Sequence, residues 1–537
     1  MTKPTYILTH DIGTTSNKTC LYKIDDHIEL VESDIEEYAL YTLPNGGVEQ
    51  EAAEWWGAVC CATKNVLQRS GISPAEIKGM AFCAQMQGFI PVDKEGNVLR
   101  NPMSYMDHRA TAQIERGLHH GFPRINGWNL YKTLRSVQIT GGLSASVKDP
   151  VWKYWWMRDN EPEKFAQLYK WLDVNDYLIM RCTGKFTMGV DSAHATFMCD
   201  TRPNKVGWHE GICKMFAVDM EHLPPLVQAT DVVGELTKEA AEDLGLVEGI
   251  LVFGGGGDLS LISVGAGCFD LYDTHIYTGT SGWVVATVDK RMTDIGGMVA
   301  SILGAIPGWY NYIAEQETAG RCLQWVRDHL ALDEIGIYLQ QNPSEDEEEK
   351  LESLYDLLNR EISQVSAGAN GVIFTPWLHG NRSPFEDPFA RGMFFNIGLE
   401  TGKRELIRAV LEGVAYHQRW MLEQVETRIP YQETVRFVGG GAQSEVWAQI
   451  LADVTGRRIE VIENAQNVGT VGAAIVCAVG LGILDEFQDA ASYVRIAKAF
   501  EPQAAHQAVY ERNFVVYKAL YKQNKNLFHQ LNKEVGA

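Results

Sequence analysis

His10-Asp11-Ile12-Gly13-Thr14-Thr15-Ser16-Asn17-Lys18 lies between the apolar runs 6–8 and 19–22, and it reads as the tip of a β-hairpin. A stretch of the same design returns far downstream, as Tyr277-Thr278-Gly279-Thr280-Ser281-Gly282 between His275-Ile276 and the apolar run 283–286. Glycine lets backbone N–H groups approach a ligand, and threonine and serine add hydroxyl donors, so each tip suits phosphate oxygens. One such loop says little. Two of them, at the start and middle of a 537-residue chain, predict duplicated α/β domains gripping one polyphosphate between them.

A chain of this length divides into two or more domains. We set the units at 1–253 and 254–537, the second opening where the apolar run 251–253 meets Gly254-Gly255-Gly256-Gly257-Asp258. Hydrophobic residues make up 45% and charged residues 22%, the balance of an ordinary globular protein. With 47 basic against 69 acidic residues the net charge is −22, which argues against nucleic-acid or anionic-membrane binding. A local basic pocket for a phosphate stays open. No apolar run reaches membrane-spanning length, and the start of the chain lacks a signal-peptide pattern. Ten scattered cysteines without a C-x-x-C pair predict reduced, mostly buried thiols in a cytoplasmic protein.

Periodicity outlines the elements that carry the loops. Residues 77–83 read as a strand, and 51–67 and 149–159 as helices. In 405–414, Leu406, Val410, Leu411 and Val414 share a helical face. Strand 435–438 runs into Gly439-Gly440-Gly441-Ala442-Gln443-Ser444. There follows a helix marked by Trp447, Ile450, Leu451 and Val454, with Gly456 as its stop. The Gly/Ala-rich helix 470–479 suits close packing or close ligand approach. The acidic stretch 344–350 reads as a solvated loop or helix start. Neither G-x-x-x-x-G-K-[ST] nor G-x-G-x-x-G is present, since Leu259 and Ser444 stand where the last glycine of the dinucleotide motif belongs. H-E-x-x-H and cysteine/histidine clusters at metal spacing are also missing.

Taken together, D-I-G-T-T-S at 11–16, G-G-G-G-D at 254–258, G-T-S-G at 279–282 and G-G-G-A-Q-S at 439–444 resemble, in order and spacing, the FGGY carbohydrate kinases. Residues 153–160 resemble the core of that family's first signature, from whose upstream end Lys148 departs. Residues 405–412 resemble the end of the second, although 397–404 is shorter than the usual pattern. The sugar-half motifs are most similar to the xylulokinase group. Gln85-Met86-Gln87-Gly88 resembles Q-M-H-G, 105–109 resembles W-N-D-x-R and Asn381-Arg382-Ser383-Pro384 resembles E-R-T-P, with departures at Gln87, Tyr105, Met106 and Asn381. The resemblance implies a two-domain actin-like ATPase fold of the ribonuclease H-like class, with ATP and sugar in the interdomain cleft. It also implies transfer of the γ-phosphate to a ketopentose, D-xylulose going to D-xylulose 5-phosphate. A kinase for ribulose, erythritol or a similar acceptor is the near alternative, and an actin-like or chaperone-type ATPase the distant one.

A sugar hydroxyl needs a base to accept its proton, and Asp258, leaving a glycine run at a helix start, is the candidate. Read without the family, it is better read as a helix cap. Asp11 is expected to hold Mg²⁺ through water, against the alternative of a turn-forming aspartate. Gly13, Thr14, Thr15 and Ser16 form one phosphate loop, and Gly279, Thr280 and Ser281 the other. Lys18 either neutralises the transferred group or flanks a strand. Gly440, Gly441, Ala442 and Ser444 are expected against adenosine, with Gln443 open. Met86, Gln87, Asp107 and Arg109 are expected at the sugar, although Asp107 and Arg109 also read as a local salt bridge. Trp152, Trp155 and Trp156 suit the core as well as the cleft. The expected partners are a small sugar and ATP with Mg²⁺, not nucleic acid or membrane. A homodimer stays open because no motif marks an interface.

Overall fold

Apolar residues after Pro4 form the strand Thr5–Ile12 (β1), in which Ile7, Leu8 and Ile12 are fully buried. It belongs to a computed structural model that describes residues 4–125, 127–330 and 359–533; the acidic stretch 344–350 lies outside them. The chain reverses at Gly13, whose N–H donates to Ser16 O at 2.9 Å, and returns as Ser16–Ile24 (β2) and Ile28–Glu37 (β3). Ile77–Ala84 (β4) adds parallel to β1. Val232–Glu235 (β5) and Leu251–Phe253 (β6) complete the order β5-β6-β4-β1-β2-β3, and Gly256–Gly257 (β7) continues beside β4.

The second sheet starts with Thr274–Thr278 (β8) and Gly282–Val288 (β9), the strands that flank the second loop. It continues through Thr293–Asp294 (β10), Val299–Leu303 (β11), Tyr310–Gln316 (β12), Thr434–Val438 (β13), Arg458–Ile462 (β14) and Ile496–Phe500 (β15). Its order is β10-β11-β12-β9-β8-β13-β14-β15. Without the edge pair β10-β11, this repeats the pairing senses of the first sheet strand for strand, with the closing strand before its neighbour in chain order in the first sheet and after it in the second. An antiparallel hairpin carries the loop, a third antiparallel strand lies outside it, two parallel strands lie inside, and an antiparallel strand closes the series. The expected duplication is therefore present at the level of topology.

The helices follow the apolar periodicity. Ala52–Ser70 (α1) and Pro150–Asn160 (α2) cover the expected positions, and Val174–Thr183 (α3) lies under the first sheet's core. Asp258–Gly265 (α4) leaves β7. Lys403–Val425 (α5) extends well past 414. Glu445–Thr455 (α6) stops at Gly456 in the left-handed region, φ 66°. Val468–Gly480 (α7), although late in the chain, shares a core with Ile7, Cys20, Tyr22 and Ala81 of the first sheet. Its glycines serve helix contact, since a Cβ at Gly472 would lie 1.9 Å from Leu261 O on α4. Trp152 and Trp155 belong to the core, whereas Trp156 is half-buried beneath the guanidinium groups of Arg100 and Arg109. Ala504–Asn532 (α8) is the last helix among the described residues. All ten cysteines are free thiols. Among the described residues, no helix is long and apolar enough to cross a membrane.

Candidate active site

Topology brings the two expected carboxylates to one sheet end. Asp11 pairs with Cys83 on β4, and Gly256 pairs with Cys83 from the other side, two residues before Asp258. The helix α4 is capped at Gly257, so Asp258 is its first residue rather than its cap. The Gly257 N–H donates to Asp191 Oδ2 at 2.8 Å and the Leu259 N–H to Asp258 Oδ1 at 2.8 Å. Burial pushes the Asp258 carboxyl up to about 7. The Leu259 N–H opposes this rise, and the charges of Asp11, Glu315 and Asp173 reinforce it. Burial likewise raises Asp11, against the pull of Lys18. Asp11 is thus a half-buried strand-end carboxylate and not part of a turn.

The first loop is fastened by side chains as well as by the Tyr38 N–H bond to Thr15 O at 2.9 Å. The Tyr38 hydroxyl bridges Gly13 O and Ser16 O at 2.6 and 2.9 Å, and Gln50 Nε2 donates to Thr14 O at 2.8 Å. Thr14 Oγ1 lies 3.2 Å from Tyr105 OH, and Thr15 is exposed at the tip. Lys18 donates to Asn467 Oδ1 at 2.9 Å and Gln466 O at 3.2 Å, tying the first hairpin to the turn before α7. The second loop is fastened by backbone. The Gly279 N–H donates to Ser281 O, and the Ala319 and Gly320 N–H groups donate to Thr280 O and Gly279 O.

Beside the second loop opens a cavity of about 360 Å³, lined by Gly279, Thr280, Leu323, Gly440, Gly441, Gln443, Ser444 and Trp447 among others. Gly441 is bare for a reason: a Cβ there would lie 2.7 Å from Thr278 Cγ2. The short 3-10 turn Gly440–Gln443 rotates Ala442 into the hydrophobic core and leaves Gln443 on the cavity, which corrects the expectation for Ala442. Ser444 caps α6 by accepting from Trp447 N–H at 3.0 Å, and its hydroxyl also meets Asn359 Oδ1 at 2.5 Å.

On the opposite side, Met86 reaches the approach to Asp258, since a Cβ at Gly257 would lie 2.2 Å from its Sδ. Gln87 is half-buried, with φ 63°. Asp107 and Arg109 do not present free groups. Their side chains are 0% and 3% exposed, Arg109 donates to both Asp107 oxygens, and Asp107 Oδ2 also accepts from Val48 N–H. Arg109 further pairs with Glu49 at 2.7 Å. Their salt bridge buttresses the wall from behind, which corrects their expected direct place at the sugar.

Sequence reasoning did not assign the ionic group opposite. Arg382 donates to Glu317 Oε1 at 2.7 Å and Glu315 Oε2 at 2.5 Å, and Lys148 lies 4.0 Å from Glu317. Burial works to raise the Glu317 carboxyl, but Arg382 and Lys148 outweigh it and hold it below its ordinary range. The signal was present in the motif departures at Lys148 and Tyr105 and in the Asn381–Pro384 segment. Its acidic partners carried no motif.

Two hydroxyl-rich loops beside a half-buried carboxylate pair, on a duplicated sheet with a cavity beside one loop, define an actin-like phosphotransferase. Residues 6–265 match the N-terminal domain, and 274–481 the C-terminal domain, of the FGGY family of carbohydrate kinases, and the chain belongs to that family. It is 28% identical to the xylulose kinase of Staphylococcus epidermidis over 522 residues, 97% of each chain. It is 25% identical to the gluconokinase of Bacillus subtilis over 96% of this chain and 99% of that one. The crystal structure of a ligand-bound xylulose kinase from Lactobacillus acidophilus superposes with a TM-score of 0.83 at 22% identity, covering 98% of this chain and all of the other. The chain is a sugar kinase, for which the family implies ATP as phosphoryl donor; the filament and chaperone alternatives fall away.

Proposed function

We propose that this kinase transfers the γ-phosphate of ATP to the terminal hydroxyl of D-xylulose, giving D-xylulose 5-phosphate. The observation that carries the reading is the packing of the Met86–Gln87 turn beside Gly257, one residue from Asp258. Relatives named xylulose kinase over nearly the whole length support it. The Asp258 carboxylate accepts the hydroxyl proton as the oxygen attacks phosphorus, and the carboxyl raised to about 7 is a stronger base than an ordinary aspartate. The N–H groups and hydroxyls of Gly13–Ser16 and Gly279–Ser281 hold phosphate oxygens from opposite sides, while Gly440, Gly441 and Gln443 receive adenosine. The division of labour runs between residues 1–253, which bind sugar and one side of the phosphates, and 254–537, which supply the base, the second loop and the nucleotide cavity.

Mg²⁺ fits the donor set, because burial raises both Asp11 and Asp258, the Asp11 charge adds to the rise at Asp258, and a hard cation would relieve both. Asp11 would hold it, and the cation would neutralise charge on the phosphates. The departure at Gln87 keeps another ketose or polyol as the second reading. A coupled ADP-release assay with Mg²⁺ across D-xylulose, D- and L-ribulose, erythritol and gluconate tests both readings, with ³¹P NMR to identify the product. The highest kcat/KM is expected for D-xylulose. A preference of tenfold or more for another acceptor, on the order of 1.4 kcal/mol in transition-state binding, overturns that choice.

A further inference from the structure

We propose that Lys153 and Asp173 are positioning residues that hold the Gln87 peptide from both ends and so set the acceptor's distance from Asp258. The inference rests on the reading of 85–88 as the acceptor site. The Lys153 ammonium donates to Gln87 O at 2.7 Å. The Asp173 carboxylate accepts from Gln87 N–H at 2.9 Å and Gly88 N–H at 2.8 Å, and from Val174 N–H at 2.9 Å. Both side chains belong to buried residues, Lys153 at 0% and Asp173 at 4% exposure.

Three features fit a purpose-built clamp. Gln87 stands at φ 63°, a region that disfavours side chains, so the turn tolerates strain at a position where glycine would relieve it. Gly88 is bare where the clamp needs space, since a Cβ would lie 2.7 Å from Asp173 Oδ1. The third is the burial of an ammonium without a bidentate carboxylate. Among the described residues, its one hydrogen-bond acceptor is a backbone oxygen of this turn. Burial lowers the ammonium to about 8, while the charges of Asp107, Asp173 and Asp149 work against that fall, so it remains mainly charged near neutrality. The neighbouring Met86 packs beside Gly257, so a shift of the 87–88 backbone moves the apolar contact next to Asp258 as well.

The test uses full-length Lys153→Met, Lys153→Arg and Asp173→Asn, assayed with the best acceptor from the screen. For Lys153→Met and Asp173→Asn, the sugar KM should rise between about tenfold and a hundredfold, while the ATP KM stays within about twofold. Lys153→Arg should recover part of the sugar KM. A second readout needs no substrate: amide hydrogen exchange of a peptide spanning 84–89 should speed by about tenfold or more in Lys153→Met, with the core strand Ile77–Ala84 elsewhere unchanged. Unaltered exchange at 84–89 overturns the clamp. Faster exchange with every KM unchanged overturns its role in acceptor placement. Faster exchange in a protein that releases ADP with no acceptor in the screen sinks the functional reading and leaves the clamp standing.

Discussion

The loop at Gly13–Ser16 and the loop at Gly279–Ser281 join equivalent strands of equivalent sheets, yet different chemistry holds them. Backbone N–H groups brace both, Tyr38 N–H on Thr15 O in the first and those of Ala319 and Gly320 in the second, and the first carries in addition side-chain ties from Tyr38, Gln50 and Tyr105. A loop held by side chains can be retuned by substitution. A loop held by backbone changes only when its fold changes. The departures from the family motifs at Gln87 and Tyr105 lie on the side of the first loop, where the acceptor is proposed to bind, and the glycine motifs beside the second loop are intact. Acceptor choice and nucleotide grip are thus separable, and mutations should move one set of constants without the other.

The largest effect is expected where the two sides meet. Asp258→Ala should lower turnover by ~10²–10⁴ with ATP binding retained, measured by ADP release and by nucleotide titration. Near-normal turnover in the folded variant would remove Asp258 from the chemistry. In the parent enzyme, kcat/KM for the sugar should rise with pH through about 7 as the carboxyl ionises. The same raised pKa carries a stability cost. Between about 4 and 7 the unfolded chain ionises this group while the folded one keeps its proton, so stability falls as pH rises. Asp258→Asn should therefore be inactive and more stable above pH 7, by on the order of 1–3 kcal/mol, as read from denaturant curves. Equal stability of the two proteins at pH 8 would mean that the carboxyl is not desolvated.

Next in size is Asp11. Asp11→Asn removes one of the two charges that a cation would neutralise, so the Mg²⁺ concentration for half-maximal rate should rise by about tenfold or more. A metal titration at saturating ATP checks this, and an unchanged midpoint would make Asp11 a structural strand-end residue.

These two carboxylates were legible because glycine punctuation surrounds them and apolar periodicity fixes the strands on which they end. The duplicated hairpins were legible for the same reason. What escaped were partners gathered by topology rather than by local pattern. Lys18 meets Asn467, 449 positions away, and a sequence reading of its immediate neighbours offers only phosphate or strand edge. Asn359 and Leu323 line the cavity beside the second loop without belonging to any motif. Ala442 and Gln443 were distinguishable only by the rotation of a four-residue turn. Asp107 and Arg109 carried a motif, but their burial, and with it their buttressing place, depends on Val48, Glu49 and Trp156 from two other segments.

The backbone-held loop should be the less forgiving of the two. A Cβ at Gly320 would lie 2.5 Å from Gly279 O, a backbone atom that can yield only by moving the loop. Gly320→Ala should raise the ATP KM by about tenfold with the sugar KM within about twofold. Tyr38→Phe, which removes the hydroxyl bridging Gly13 O and Ser16 O, should cost only a few-fold, on the order of one lost hydrogen bond. If Tyr38→Phe proves the more damaging, the contrast between the loops is wrong.

The smallest effect sharpens the contrast most, because it should fall on the acceptor side alone. Gln87 is neutral, with a donor and an acceptor on its amide, where the resembling xylulokinase motif has histidine. Its backbone is gripped at both ends by Lys153 and Asp173, so a new side chain at 87 inherits the same direction rather than a new turn. Histidine tolerates the left-handed region at least as well as glutamine, so Gln87→His should fold normally. The imidazole changes charge near pH 6–7, and a cation there would act against the charges of Glu315 and Asp173 that already raise Asp258. The sugar KM should therefore shift by a few-fold and acquire a pH dependence between roughly 6 and 8, while the ATP KM holds. Measuring both constants for D-xylulose, D-ribulose and L-ribulose over that range decides it. If the ATP constant moves and every sugar constant stays, the turn at 85–88 does not face the acceptor, and the choice of xylulose loses its structural ground.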